Sequence, residues 1–155
     1  MIKKVMDQWA KNKDKLREAL AKDKELNMCD YDYLVEKVVH VILNESKDHE
    51  DLFDDGIIWN INGITTINDG DYQGTLLFII PRATYQPCES EYLITYVNYG
   101  SCSVCDTLQG IQDYSNELPT EKQLDDYMTL CLHLCENMKK PYLSYSFNMY
   151  DVEME

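Results

Sequence analysis

Two cysteines three positions apart, Cys102 and Cys105, are the residues of this sequence best suited to chemistry. A Cys-x-x-Cys turn presents two thiolates on one short segment, and thiolates are ligands that tetrahedral zinc prefers. Thiol redox centres use the same spacing, but usually in a βαβ unit, which the turn-rich sequence here does not provide. Cys29 and Cys88 stand alone and are expected to be buried thiols. The close pair therefore predicts half of a zinc site, with plain packing as the alternative.

A second pair, Cys131 and Cys135, would complete a four-thiolate zinc site, because residues four apart share a helix face. His133 lies on nearly the opposite face of the same predicted helix, so it is an alternative ligand rather than an additional one. Asp71 and Asp106, near the Cys-x-x-Cys turn, are further alternatives. The face that carries the two cysteines is otherwise apolar, so core packing is the competing interpretation for this pair.

The charge of the chain restricts its partners. Its 155 residues include 28 acidic and 14 basic side chains, a formal net charge of -14. Such a charge repels phosphate backbones and anionic lipids, so direct binding to nucleic acid or to a membrane is disfavoured. The same field attracts basic proteins, including protein grooves that normally hold DNA or RNA. A surface that serves only solubility is the other interpretation.

The densest acidic run lies between residues 45 and 55, where Lys47 is the one lysine and there is no arginine. We interpret this run as a solvated loop, and a docking patch for a basic partner is the alternative. The candidate partner-binding carboxylates are those of Glu45, Asp48, Glu50, Asp51, Asp54 and Asp55.

Length and hydropathy indicate one domain over residues 1–155, because a 45% hydrophobic content is enough for a core without disulfides. No run of about 18 apolar residues is present, and residues 2–7 lack the apolar core of a secretory signal. We therefore expect a cytoplasmic protein with reduced thiols. We expect no enzyme activity, because the sequence has no recognisable catalytic triad and no phosphate-binding glycine loop.

Helices are predicted on both sides of a sheet-forming middle. Apolar residues at three- and four-residue steps predict a helix over residues 2–20 and a second helix after Asp30, a candidate N-cap. Thr120 and Gln123 have the spacing of a capping box, which predicts the start of a last helix that ends before Pro141. We expect a helical N-terminal part over residues 1–46, and a sheet with the last helix over residues 56–150.

The middle of the chain has the turn pattern of an antiparallel meander, with Asn62-Gly63 and Asp69-Gly70 as hairpin turns. The nearly all-apolar third strand should be central and buried. We expect an α+β fold with a sheet of about four to five strands and two or three helices packed on one face. The predicted strands are residues 57–61, 64–67, 75–80, 92–99 and, as an edge strand, 142–150.

Two glycine-containing segments should meet at one end of this sheet. If residues 75–80 and 92–99 pair antiparallel, the start of one strand lies beside the end of the other. Residues 70–74 and 99–106 then come together, and their polar side chains become candidates for one site. Those side chains belong to Asp71, Gln73, Cys102, Cys105 and Asp106.

These two segments also carry a resemblance to a family. Residues 71–78 and 92–109 resemble small, largely uncharacterised proteins encoded by phages and prophages of Gram-positive bacteria. The resemblance covers roughly residues 70–138 and rests on glycines, cysteines and aspartates of the two segments. Val104 stands where the family has glycine, and the later cysteine pair lies outside the shared signature.

The resemblance implies a phage origin, and small acidic inhibitors of RNA-guided CRISPR nucleases are prominent among phage counter-defence proteins. Together with the charge, it predicts a zinc-stabilised inhibitor of this anti-CRISPR type, which binds a basic nuclease surface and obstructs nucleic-acid loading. One alternative is a small metal-dependent or thiol enzyme that uses Cys102 and Cys105 with Asp71 or Asp106. Another is a scaffolding protein of the phage.

Overall fold

Four helices and three strands make up the part of the chain that the computed structural model describes, residues 2–44, 58–102 and 106–141. Short 3-10 turns connect several of them, at Leu26–Met28, Ile61–Gly63 and Glu89–Glu91. The helices are α1 (Ile2–Ala21), α2 (Tyr31–Val38), α3 (Thr107–Ile111) and α4 (Glu121–Glu136). The strands are β1 (Thr65–Asn68), β2 (Gly74–Pro81) and β3 (Tyr92–Tyr99).

The strands form an antiparallel sheet in the order β1–β2–β3. Thr65 lies opposite Ile79 in the first pair of strands, and Gly74 lies opposite Tyr99 in the second. This confirms the α+β class, the central position of β2 and the antiparallel pairing of β2 with β3. The start of β2 and the end of β3 therefore meet at one end of the sheet, as the sequence predicted.

The described part of the chain forms three strands, rather than the four to five expected. The Asn62-Gly63 turn does not join two strands but lies in the 3-10 turn Ile61–Gly63. Gly63 is required there by close packing, since a Cβ atom would lie 2.9 Å from Pro81 Cγ. A turn does form at these residues, but it is not the predicted hairpin turn, because it leads the chain into β1. The predicted strand over residues 142–150 lies outside the described residues.

Just before this turn, Trp59 is held in place by the side chain of Asn44 and not by pairing with a further strand. Trp59 forms an isolated bridge with Arg82. Its backbone N–H donates to Asn44 Oδ1 at 2.9 Å, and its carbonyl accepts from Asn44 Nδ2 at 3.0 Å. Because one amide satisfies both backbone groups, Trp59 needs no further strand on that side.

One face of the sheet is buried against the helices. Phe78 and Ile80 of β2 and Leu93 of β3 are fully buried, in the alternation expected of strands with one covered face. Thr95 is buried beside them, and its hydroxyl donates to the Leu134 carbonyl of α4 at 2.6 Å. This bond and the shared core fix α4 across the sheet.

The helix starts follow the predicted capping. Asp30 accepts a hydrogen bond from the Tyr33 N–H, and Thr120 forms a reciprocal capping box with Gln123. α2 continues into a wider π-helical turn, Val39–Asn44, that buries successive apolar side chains. Among the described helices, none is both long and apolar enough to cross a membrane.

Candidate functional site

An open cleft of about 560 Å³ lies where α2, α3 and the end of the sheet meet. Its size falls within the usual range of ligand clefts, roughly 300 to 1,000 Å³. The walls combine aromatic rings, aspartates and side-chain amides. They are formed by Cys29, Asp30, Tyr31, Asp32, Thr66, Asn68, Leu76, Tyr99, Asp106, Leu108, Gln109, Gln112 and Tyr114.

Asp106 is the buried centre of this region. Its Oδ1 accepts hydrogen bonds from the Tyr31 hydroxyl at 2.7 Å and from the Gln109 N–H at 3.1 Å, and its Oδ2 accepts from the Gly100 N–H at 3.1 Å. The carboxylate thus caps the start of α3 and links it to the start of α2 and to the residue that follows β3. These three bonds give Asp106 a structural role in the described fold.

Tyr31 completes that network. Its hydroxyl donates to Asp106 and accepts from the Leu108 N–H at 3.1 Å. Burial, and then the hydrogen bond to Asp106, raise the pKa of Tyr31 far above its usual value. The phenol therefore stays neutral and serves as a fixed wall of the cleft.

Two exposed aspartates stand at the mouth of the cleft. Asp30 uses Oδ1 to accept from the Tyr33 N–H at 2.9 Å, and Asp32 uses Oδ1 to accept from the Thr66 hydroxyl at 3.0 Å. Within residues 2–44, 58–102 and 106–141, no lysine, arginine or histidine forms an ion pair with either aspartate. One carboxylate oxygen of each aspartate is therefore available to a ligand.

Gln112 holds the backbone around Cys29, which forms part of the cleft wall. The Gln112 Nε2 donates to the Cys29 carbonyl at 2.7 Å and to the Leu26 carbonyl at 3.1 Å. Burial raises the pKa of the Cys29 thiol to about 12, so this thiol remains protonated at neutral pH. Cys29 is thus a poor nucleophile in this cleft.

Two tyrosines form the rim. The Tyr99 hydroxyl donates to Asn68 Oδ1 at 2.5 Å, which fixes its ring against the β1–β2 loop. Tyr114 has a φ of 57°, an unusual conformation for a bulky residue, and 58% of its surface is exposed. The Tyr114 ring is presented to solvent beside the cleft, whereas the Tyr99 ring is half-buried and packs against the core.

Of the predicted site residues that the structure describes, only Asp106 lines the cleft. Asp71 and Gln73 are exposed on the β1–β2 loop, and Cys102 is exposed just beyond β3. The predicted meeting of the two segments is confirmed by the pairing of Gly74 with Tyr99. Cys105 and the acidic carboxylates of residues 45–55 lie outside the described residues.

The later cysteines belong to the core. Cys131 and Cys135 are fully buried on the inner face of α4, whereas His133 is exposed on its outer face. Burial raises the pKa of Cys131 to about 12 and also raises that of Cys135. A metal at these thiols would have to displace protons that the apolar surroundings retain.

Among the described residues, no three or more histidine, cysteine, aspartate or glutamate side chains are arranged to hold a metal ion. Asp106 already accepts three hydrogen bonds, and Asp71 does not line the cleft. Because Cys105 is outside the described residues, the zinc site at Cys102 and Cys105 stays a prediction.

Cys88 is exposed, so the expectation of a buried thiol is wrong for this residue. Its Sγ lies 3.1 Å from Glu91 Oε1, in a short 3-10 turn before β3. The residue acts as the N-cap of that turn, a role that serine or aspartate usually has. Composition could not distinguish this polar use of cysteine from simple packing.

The cleft itself was only partly predictable. Asp30 was recognisable as a helix cap, but its position beside the sheet depends on the packing of α2. Tyr114 and Gln112 follow α3 in an irregular segment with no periodicity. No sequence pattern indicated that these residues share one surface.

No protein-family model, curated protein or solved structure matches this chain. The resemblance to phage proteins, and the activity that it implies, therefore stay predictions.

Proposed function

We propose that this chain is a phage-encoded, zinc-binding inhibitor of a host defence nuclease, of the anti-CRISPR type. It acts in the host cytoplasm, where it binds a basic protein surface and obstructs the loading of nucleic acid. The observation that carries the proposal is the net charge of -14 on a chain of only 155 residues.

The physical basis is competition for a positively charged channel. RNA-guided nucleases hold the guide–target duplex in such a channel, mainly through contacts to its phosphate backbone. A protein covered with carboxylates is attracted by the same field and can occupy the same surface. The two aspartates at the mouth of the cleft support this mode of binding, because they present negative charge that no basic side chain of the described residues neutralises in an ion pair.

The test is a binding and inhibition assay with purified RNA-guided nucleases. We expect the protein to bind at least one nuclease in a panel, to weaken its hold on target DNA, and to do so less strongly as salt is raised from 50 to 200 mM. Full DNA binding and cleavage by every nuclease at saturating protein would contradict the proposal.

The predicted docking patch can be tested with a charge-matched pair of variants. Changing Asp48, Glu50, Asp51, Asp54 and Asp55 to the corresponding amides should weaken binding to the nuclease more than the control does. The control neutralises the same number of exposed carboxylates on the helices, which are Asp7, Asp14, Glu18, Glu36 and Glu136. Equal loss in both variants would show that net charge, and not this patch, determines binding.

The zinc part of the proposal is tested by elemental mass spectrometry of untagged protein purified without added metal. We expect about one zinc per chain, lost in the Cys102→Ser, Cys105→Ser double variant with a fall in stability. Cys88→Ser is the control, because Cys88, like Cys102, is an exposed thiol. Absence of zinc from the parent protein would remove the metal from the proposed function and leave the charge argument intact.

A further inference from the structure

The residues that line the cleft beside α2 offer a ligand more free hydrogen-bond acceptors than free donors. Three of its hydroxyls already donate within the protein: Tyr31 to Asp106, Thr66 to Asp32, and Tyr99 to Asn68. Those three hydroxyls are therefore not available as donors to a ligand. The donors that remain among the described lining residues include the Asn68 amide N–H groups and the Tyr114 hydroxyl.

Its acceptors, in contrast, are largely free. Gln109 and Gln112 use their amide nitrogens on backbone carbonyls, which leaves their Oε1 atoms as acceptors. Asp30 Oδ2 and Asp32 Oδ2 accept no hydrogen bond from the described residues. A ligand that satisfies these four oxygens must bring donors and positive charge.

The rest of the wall is apolar and aromatic. Leu76 and Leu108 contribute aliphatic surface, and the rings of Tyr31, Tyr99 and Tyr114 contribute aromatic surface. Among the described residues that line the cleft there is no lysine, arginine or histidine. In the smaller groove between α1 and α4, by comparison, Arg17 already pairs with Glu121 and Asp125.

From this combination we infer that the cleft receives an arginine side chain from a basic protein partner. The planar guanidinium has five N–H donors for the free acceptor oxygens and a flat face that stacks on a tyrosine ring. Its aliphatic stem fits the leucine-lined wall. Lysine offers fewer donors and no planar face. The identity of the partner rests on the proposed function, but the chemistry of the cleft does not.

The test uses three capped peptides that differ at one position, with arginine, lysine or the neutral isostere citrulline between glycines. We expect the arginine peptide to shift the amide NMR resonances of residues around the cleft in a saturable manner, with about ten-fold weaker binding of the other two peptides. Equal binding of the lysine or citrulline peptide would overturn the inference, as would the absence of saturable shifts around the cleft with the arginine peptide.

The Asp30→Asn, Asp32→Asn double variant tests the role of the two carboxylates. Asparagine keeps the N-cap and the acceptor for Thr66, so the fold should be preserved while the charge is lost. We expect at least about ten-fold weaker binding of the arginine peptide. The control is Asp71→Asn with Glu117→Gln, because both carboxylates are exposed and lie outside the cleft. Unchanged affinity in the cleft variant, or equal loss in the control, would overturn the inference.

Because no nuclease enters this assay, its outcome is separate from that of the proposed function. A nuclease panel without inhibition would reject the anti-CRISPR function and leave arginine binding standing. If the arginine peptide does not bind the cleft, the inference is rejected. The proposed function would still stand in that case, because an acidic inhibitor could act through another surface.

Discussion

At the scale of single residues, Asp106 joins more of the described fold than any charged neighbour in the cleft. It is 4% exposed and accepts from a phenol and from two backbone N–H groups. The sequence marked it only as a possible metal ligand beside a cysteine turn. Its structural use could not be predicted, because Tyr31 lies 75 positions away.

Asp106→Asn should lower the free energy of unfolding by about 1 to 3 kcal/mol. The amide can keep two of the three hydrogen bonds, but its NH2 group then faces the buried Gly100 N–H, which loses its partner. Urea denaturation measures the change. Asp71→Asn, on an exposed loop residue, is the control and should change stability by less than about 0.5 kcal/mol. An equally stable Asp106→Asn protein would show that the network contributes little.

The buried thiols predict alkaline destabilisation. The pKa of Cys131 is about 12 in the folded chain and about 8.5 when unfolded, so the thiol contributes stability that is fully present below pH 8.5 and is lost as the pH rises towards 12. Each such thiol should lower the free energy of unfolding by about 1.4 kcal/mol per pH unit in that window.

Urea denaturation under reducing conditions at pH 8, 9 and 10 gives this slope directly. Cys131→Ala should have a shallower slope than the parent protein whatever its absolute stability, and Cys88→Ala should have the parental slope because Cys88 is exposed. Identical slopes in all three proteins would contradict the prediction.

At the scale of elements, the helix starts depend on local chemistry. Thr120 and Gln123 satisfy each other's backbone N–H groups within four residues, which is why the sequence predicted the start of α4 correctly. Asp30 similarly marks the start of α2.

Thr120→Ala should cost about 1 kcal/mol of stability, because the first turn of α4 loses its cap. Thermal or urea unfolding measures this cost. Thr129→Ala is the matched control: Thr129 is an exposed threonine in the same helix whose hydroxyl bonds the carbonyl one turn earlier. A loss in the control as large as that in Thr120→Ala would show that the cap is not the cause.

The less predictable elements depend on distant partners. Nothing local to Val39–Asn44 indicates a π-helical turn, yet the buried Asn12 of α1 donates to the Ile42 carbonyl at 3.2 Å. Likewise, the strand expected around Trp59 is replaced by a contact with Asn44. The central strand and the capped helices could be predicted, while the sheet size and the cleft required tertiary contacts that sequence periodicity does not encode.

At the scale of the whole molecule, charge is the dominant property. The excess of carboxylates gives an isoelectric point near 4.5. Between neutral pH and that value, self-repulsion falls as carboxylates become protonated.

We therefore expect a solubility minimum near pH 4.5, seen as maximal turbidity in a pH series at low salt. The variant with amides at Asp48, Glu50, Asp51, Asp54 and Asp55 should have its minimum at higher pH, because it reaches zero charge with fewer protons. An unchanged minimum in that variant would mean that local association, rather than net charge, controls solubility.

The packing of α1 against α4 also has a consequence for how the protein is made. Arg17 of α1 pairs with Glu121 and Asp125 of α4, more than 100 residues later in the chain. A ribosome that adds about 5 to 20 residues per second exposes α1 roughly 5 to 20 s before α4 follows. During that interval the apolar face of α1 is not yet packed against α4 and can be bound by chaperones. A message cut short before α4 would yield a chain that lacks the buried side chains of this helix, among them Leu124, Tyr127 and Leu134, so α1 would keep an uncovered apolar face.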